Sequence, residues 1–492
     1  MVKNFKIPKK ILNFINNEDM NPENDTFFNK LNPHDSTVIC QVARSDEKDI
    51  NNAVKIAKNA QSIWGNYNPI KRGEILFEII DKMQQYKVDI AEIVALETGK
   101  SFSSGLGEIG GSIACARFYA GEGQRLYAKT CTSGVDNKYA MTIREPVGVA
   151  GLIIAANTPI ANVAWKVFPA LICGNSVILK SAEDTPITAW IMGEIIKMTQ
   201  LPKGVFNIVH GLGPEAGAPL VEHEDVNLIS FTGSTNVGRY IAKTAGERLA
   251  KVSLELGGKN PLIVCDDADL ENAAKWVILS AFSNAGQRCA SCSRVILFDS
   301  IYDKFKKLLI DKTTKLRIGP NNEDDLGPVI NEKQLKNMIN IINKAKEKGA
   351  TVLIGGNRLD SEKHKKGFYM APTILENVGP EDEIAVNELF GPITILFKVS
   401  SFREALGLAN NSPYGLTASI HTKNVNRATE FSRKISSGVA VINGGTYGSE
   451  PHMPFGGVRQ SGNGTREPGT EALDIYSNLK DIYQFVNVDD CD

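Results

Sequence analysis

"VGVAGLIIAANTPIANVAWKVFPALICGNSVILK" (Val147–Lys180) decides the fold. Its opening run is apolar without alternation, and "NSVILK" at its end is of the same kind, as expected of buried strands. Between them, "ANVAWKVFPALICG" spaces its apolar residues as a helix does. Strand, helix and strand in succession form the unit of a parallel sheet. The pattern extends in both directions. Downstream, "GVFNIVHG" and "VNLISFTG" are strand-like, "GPEAGAPLVEH" and "STNVGRYIAKTAGERL" are helical, and "KVSLELGGKNPLIVCDD" is extended. Upstream, "DINNAVKIAKNAQSIW" and "ILFEIIDKMQQYKVDIAEIVALETGK" have helical spacing. After Leu270 a second series, "DLENAAKWVILSAF", "SRVILFD", "IYDKFKKLLIDKTTKL", "KQLKNMINIINKAKEKGATVLIGG" and "ITILFKV", predicts a second α/β domain. The C-terminal "ALDIYSNLKDIYQFVNV" is rich in aromatic and β-branched residues and predicts an edge strand able to pair with another subunit.

At 492 residues the chain exceeds one small core, so about two or three domain-sized units are expected. Hydrophobic residues make up 42% and charged residues 23%, ordinary for a soluble globular protein. With 55 basic and 56 acidic side chains the net charge is -1, which argues against a nucleic-acid or membrane-surface partner held by bulk charge. The eight cysteines are scattered, unlike a disulfide framework, and a reducing compartment fits them. "MVKNFKIPKKILNFINNEDM" lacks the apolar segment of a secretory signal, and Val147–Ala156 is too short to span a bilayer. A cytoplasmic protein with no membrane partner is expected.

Three segments carry phosphate-binding signals. "GLGPEAG" offers Gly211, Gly213 and Gly217 after a strand, at a spacing that departs from the usual dinucleotide fingerprint. "SFTGSTNVG" ends a strand and opens a helix at Gly233 and Ser234, with Gly238 one turn on. A helix N-terminus there offers backbone N–H groups and a positive dipole end to a phosphate, or simply a turn capped by Ser234 or Thr235. In "VILKSAEDTP", Lys180 and Glu183 follow a buried strand at its C-terminal end, where open α/β sheets bind ligands. An acid there accepts hydrogen bonds from a ribose diol and repels a 2′-phosphate, favouring NAD over NADP.

"FSNAGQRCASC" (Phe282–Cys292) holds two cysteines three positions apart. A structural zinc needs a second close Cys or His pair, which the chain lacks, and no metal is expected. A redox pair wants both thiols at a helix start after a strand, and here a helix and a Gly-bearing loop precede them. A single nucleophile, with Arg288 and the amides of the Gly286 turn helping to hold a thiolate, and a buried inert thiol both remain open. The carboxylate candidate is Glu255 in "LELGGKNP", a lone acid in an apolar run. Burial there raises a carboxyl pKa toward the range of a general base, and burying an unpaired Glu is costly enough to point to function.

In these residues the chain resembles the NAD(P)-dependent aldehyde dehydrogenase superfamily along nearly its whole length. "LELGGKNP" resembles its glutamate motif and "FSNAGQRC" its cysteine motif, while "GNSVILKSAEDTP", "SFTGSTNVGR", "NELFGP" and "PFGGVRQSGNGTRE" match four further blocks in order. The resemblance implies a Rossmann-like cofactor domain (1–127 and 148–256), an α/β catalytic domain (257–460), and a small β arm (128–147 and 470–490) that makes homodimers or homotetramers. It implies that Cys289 attacks an aldehyde to give a thiohemiacetal, with Cys292 a bystander. The Asn157 amide and the Cys289 N–H would form the oxyanion hole, and Glu255 would activate the water that hydrolyses the thioester. For NAD it implies Lys180 and Glu183 at the adenosine ribose, Gly233 and Ser234 at the pyrophosphate, and Glu388 with Phe390 at the nicotinamide ribose; Gly213, Gly217 and Gly238 are expected among the cofactor-binding residues as well. The chain departs from the pattern at Ala155-Ala156, where many members have Pro-Trp, and at Thr158, where an aromatic is common.

Thr158, Asn162, Trp165, Ser283, Ala290, Ser449 and Phe455 fall at family substrate-pocket positions, with His452 beside the mouth. That polar, small lining predicts an aldehyde bearing a hydroxyl, amino or carboxylate group, such as a semialdehyde. Three rivals stand beside hydrolytic oxidation, one of them a cysteine hydrolase acting without cofactor, for which the cofactor blocks would be idle. A CoA-acylating member commonly lacks the base placed at Glu255, and a silent binding protein on the scaffold would not need Cys289, Glu255 and Asn157 together.

Overall fold

The computed structural model describes residues 3–487, so Cys491 and the end of the expected arm at 488–490 lie outside the described residues. The apolar run forms the strand Val149–Ile153, the third strand of a seven-stranded sheet. Parallel to it on one side runs Leu228–Thr232, then Lys251–Glu255. On the other side run Ser176–Lys180 and Phe206–Val209. The chain therefore leaves Val149–Ile153 in one direction and returns to Leu228–Thr232 on the opposite flank. That reversal opens a crevice at the C-terminal strand ends, the usual ligand position in an open α/β sheet. The short strands Asn13–Ile15 and Glu18–Met20 complete the sheet in antiparallel fashion.

The crossover helix Pro159–Ile172 starts with proline at its first position, where no N–H is needed, and is buried on nearly every side. It packs against the helix Phe102–Gly121. Gly105 in that helix lets it approach the helix Lys87–Thr98, since a β-carbon there would lie 2.6 Å from the Ala91 carbonyl oxygen. "ILFEIIDKMQQYKVDIAEIVALETGK" is not one helix but two, Pro69–Gln85 and Lys87–Thr98, separated at Tyr86, whose φ of -102° and ψ of 20° leave the helical range.

The second alternating series builds a second seven-stranded sheet in the order Thr351–Ile354, Thr373–Glu376, Ile393–Val399, Cys292–Phe298, Asn260–Val264, Thr417–His421 and Val439–Ile442. All neighbours are parallel except the first pair. The long apolar strands are covered by helices on both faces, which explains their lack of polar alternation.

A separate three-stranded sheet pairs Ser477–Phe485 antiparallel with Lys138–Pro146, which also pairs with Thr130–Thr132. The C-terminal strand thus takes its first partner from its own chain and is an edge of this sheet. The preceding "ALDIY" is a short helix, Ala472–Tyr476. A further small sheet, Lys10–Ile11, Phe27–Leu31 and Val38–Ala43, lies near the N-terminus. Among the described residues no helix is long and apolar enough to cross a membrane.

Candidate active site

Cys289 stands between the helix Leu270–Phe282 and the strand Cys292–Phe298, just past a tight turn at Ser283–Gly286. Three successive residues of that turn are left-handed, Asn284 at φ 55°, Ala285 at 52° and Gly286 at 67°. For Ala285 this conformation costs about 1 kcal/mol, and such strain concentrates at functional sites. Gly286 admits no side chain, because a β-carbon would lie 2.0 Å from the Gly391 carbonyl oxygen. The Asn260 amide holds the loop by donating to the carbonyls of Cys289 (2.8 Å) and Ser291 (2.9 Å). Cys292 points away into the second core, fully buried.

Asn157 follows the strand Val149–Ile153 at the crevice and is tied to the cysteine loop. Its side-chain Nδ2 donates to the Gln287 carbonyl at 3.0 Å. Its carbonyl accepts from Asn284 Nδ2 at 3.1 Å and from the Lys100 ammonium at 2.8 Å. An amide nitrogen carries two hydrogens, so one remains for an incoming oxygen. Lys100 is also paired with Glu108 at 2.5 Å, both side chains nearly buried. Glu108 in turn accepts backbone N–H groups of Ile160 and Ala161 at 3.1 and 3.4 Å, capping the crossover helix. This pair was not singled out from sequence. Neither residue lies in a motif, and only the fold brings Lys100 to Asn157.

Glu255 ends its strand 5% exposed, with neither carboxylate oxygen hydrogen-bonded. Burial, and then the charge of Glu467, holds its pKa well above the usual carboxylate range. Glu467 is itself buried in an ion pair with Lys166 at 2.7 Å. Burial pushes the Cys289 thiol up to about 12, with the charges of Glu388 and Glu255 acting the same way. The neighbouring Arg288 charge acts in the opposite direction, the one expected of it, and is outweighed by desolvation. Other buried thiols shift similarly, so what sets Cys289 apart is its access to open space.

Cys289 lies on the wall of two cavities. The first, about 390 Å³, is lined by Asn157, Thr158, Thr232, Gly233, Ser234, Glu255, Gly257, Glu388 and Phe390 at the crevice where the strand order reverses. Ser234 caps the helix Thr235–Glu247. Glu388 accepts the Gly258 N–H at 3.0 Å, and burial pushes its pKa up to about 7. Gly257 leaves it room, since a β-carbon there would lie 2.1 Å from its Oε2.

The other sequence-chosen residues do not reach this cavity. Lys180 ends the neighbouring strand, 4% exposed and without a side-chain hydrogen bond, and burial lowers its pKa to about 8. Glu183 is exposed beyond it. Gly213 and Gly217 bound a π-helical turn after Phe206–Val209. Gly238 lies inside its helix and serves packing, as a β-carbon there would meet Leu256 at 2.5 Å. Sequence reasoning missed His210 in this region, buried with Nδ1 at 2.8 Å from Ser181 Oγ and Nε2 unpartnered.

The second cavity, about 480 Å³, is lined by Thr158, Trp165, Ala290, Ser449 and Phe455 as expected, and also by Lys100, Glu108, Arg288 and Tyr447. Asn162 faces the first cavity instead, and Ser283 turns its hydroxyl to the Leu279 carbonyl at 2.5 Å. His452 does not line either; it lies 3.5 Å from Glu450 in the exposed loop. Trp165 and Phe455, both in the expected lining, pack edge to face at 5.5 Å, and Tyr447 adds a ring that was not expected.

The chain matches the Aldehyde dehydrogenase family over residues 20–482. It is 40% identical over 475 residues to the alpha-ketoglutaric semialdehyde dehydrogenase of Bacillus subtilis (strain 168), covering 96% of this chain and 97% of that one. It is 39% identical over 476 residues to aldehyde dehydrogenase 1A1 of Rattus norvegicus, covering 95% and 94%. The crystal structure of betaine aldehyde dehydrogenase from Staphylococcus aureus in complex with NAD+ superposes with a TM-score of 0.95 at 31% identity, covering 97% and 95%. With a cysteine, an amide and a buried carboxylate facing one crevice, and a match running nearly end to end, this chain belongs to the aldehyde dehydrogenase family.

Proposed function

We propose that this protein oxidises an aldehyde to the carboxylic acid with NAD, through covalent chemistry at Cys289 and hydrolytic release by Glu255. The single observation carrying this reading is that Cys289, Asn157, Glu255 and Glu388 open on one cavity at the strand-order reversal. The residues present fit NAD. A 13-residue helix begins at the crevice with Ser234 as its cap, and the Lys180 ammonium one strand away has no hydrogen-bond partner. Lys180 and Glu183 would hold the adenosine ribose, Gly233 and Ser234 the pyrophosphate, and Glu388 the nicotinamide ribose. Gly213 and Gly217 belong to the adenosine flank, and Gly238 supports the pyrophosphate helix through packing.

The Cys289 sulfur adds to the aldehyde carbon as its proton passes to solvent water, and the free N–H of Asn157 with the Cys289 backbone N–H stabilises the oxygen that gains charge. Bound NAD supplies the hydride acceptor that converts this adduct to a thioester. Glu255 then takes a proton from water, whose oxygen attacks the thioester and frees the acid and the thiol. Its raised pKa suits that role better than an ordinary carboxylate would.

The substrate is polar, in the class of semialdehydes, supported by the charged groups in the second cavity. The cofactor domain comprises 1–127 and 148–256, the catalytic domain 257–460, and the arm 128–147 with 470–490. Exposed Tyr139, Leu479, Tyr483 and Phe485 on the arm sheet support a homodimer or homotetramer. The seven cysteines among the described residues form no disulfide, which supports a cytoplasmic location. A panel of aldehydes with NAD and NADP side by side, without added CoA, tests the reading. NADH formation with a polar aldehyde, absent in Cys289→Ala, is the expected result. A strict CoA requirement would sink the hydrolytic route.

A further inference from the structure

Buried Arg72 donates to the carbonyls of Tyr67 and Ile172, and buried Arg294 lies over the Phe397 ring in the second core with Nε and Nη1 unpartnered. Arg288 differs from both in lining an open cavity. Its guanidinium lies over the Tyr447 ring at 5.0 Å, which fixes its plane, yet its buried Nε has no hydrogen-bond partner. Stacking satisfies the face of a guanidinium and leaves the N–H groups on its edge unmet.

Charge in the cavity is also unbalanced. Among the described residues lining it, the charged side chains are Lys100, Glu108 and Arg288. Lys100 and Glu108 neutralise each other at 2.5 Å. One positive charge is left over, on the residue next to the nucleophile.

We infer that Arg288 is the specificity-determining residue of this site, and that the substrate is an aldehyde with a carboxylate at the far end of its carbon chain. This rests on the proposed aldehyde oxidation. The guanidinium edge offers paired donors that match a carboxylate's two oxygens, and the desolvated wall strengthens that pair relative to water. The aldehyde carbon then reaches Cys289 while the anionic end is held one residue away. A neutral alkanal of equal length fills the same space against Trp165 and Phe455 but leaves the guanidinium unmet, which is the arrangement that discriminates most strongly.

The test compares 5-oxopentanoate with pentanal, matched in length, in the wild type, Arg288→Gln and Arg288→Lys, each with NAD. The wild type is expected to favour the oxo acid in kcat/KM by about 100-fold, Arg288→Gln to bring that ratio close to 1 mainly through KM, and Arg288→Lys to keep part of it. A wild-type ratio near 1, or a ratio unchanged in Arg288→Gln, overturns the inference. A second arm needs no turnover: glutarate should slow alkylation of Cys289 by neutral iodoacetamide in the wild type and not in Arg288→Gln. If neither aldehyde is oxidised while glutarate still protects, the oxidation reading fails and the anion site stands. If glutarate protects neither protein, the anion site fails.

Discussion

On the cofactor side of Cys289 the acids Glu255, buried, and Glu388, half-buried, form no ion pair among the described residues, and desolvation drives both toward the neutral form. On the aldehyde side Glu108 is locked to Lys100 at 2.5 Å, and Arg288 keeps a free charge beside the open space. The difference follows from what each side does. Glu255, proposed to take a proton from water, is kept neutral more readily by desolvation, and Glu388, proposed to hold a ribose, shares that environment. A group that must hold geometry or recognise an anion is kept charged by a partner or by its chemistry.

The largest expected effect comes from the sulfur shared by both cavities. Cys289→Ala should lower aldehyde-dependent NADH formation by roughly 10⁴-fold or more, measured in steady state, while leaving the thermal midpoint little changed. Glu255→Gln should come next. Steady-state turnover should fall about 100- to 1,000-fold while a first-turnover burst survives. In the wild type the deacylation rate should rise with pH through the raised Glu255 value and be lost on the acid side, where the carboxyl is protonated. Stability should move the other way. A carboxyl whose folded pKa is raised destabilises the fold as pH climbs above its unfolded value, so Glu255→Gln should be more stable than wild type by about 1–3 kcal/mol near neutrality and equal to it in acid.

Lys100→Met sharpens the contrast from the aldehyde side. It leaves Glu108 buried and unpaired and releases the Asn157 carbonyl, so about 3 kcal/mol of stability should be lost in denaturant titration. kcat should fall about tenfold as the oxyanion amide loses its position. The smallest effect belongs to an exposed pair. Lys58 and Asp225 are 59% and 45% exposed, and Lys58→Ala should change stability by less than about 0.5 kcal/mol.

The sequence revealed the parallel sheets because their strands are covered on both faces and so read as unbroken apolar runs. It was silent on Phe102–Gly121, whose glycines Gly105, Gly107, Gly110 and Gly111 lower helix propensity, while Gly105 alone of the four serves close packing. It missed Asn13–Ile15 and Glu18–Met20, each three residues long and too short for a period to register. The break at Tyr86 has no Pro or Gly to mark it. In the site, Cys289, Asn157, Glu255 and Glu388 were legible because each lies in a motif. Lys100 and Glu108 were not, because their effect on Asn157 exists only after the chain has folded. Burial of the thiol was equally hidden, as was the stacking of the Arg288 guanidinium on Tyr447.

Covalent capture at Cys289 is the claim on which the rest depends. Glu255→Gln protein mixed with a saturating aldehyde and NAD, quenched in acid and analysed by peptide mass spectrometry, tests it directly. An acyl group on the peptide containing Cys289, in step with a burst of about one NADH per site, is the expected result. A burst with that cysteine unmodified, or with the acyl group on another residue, would contradict it.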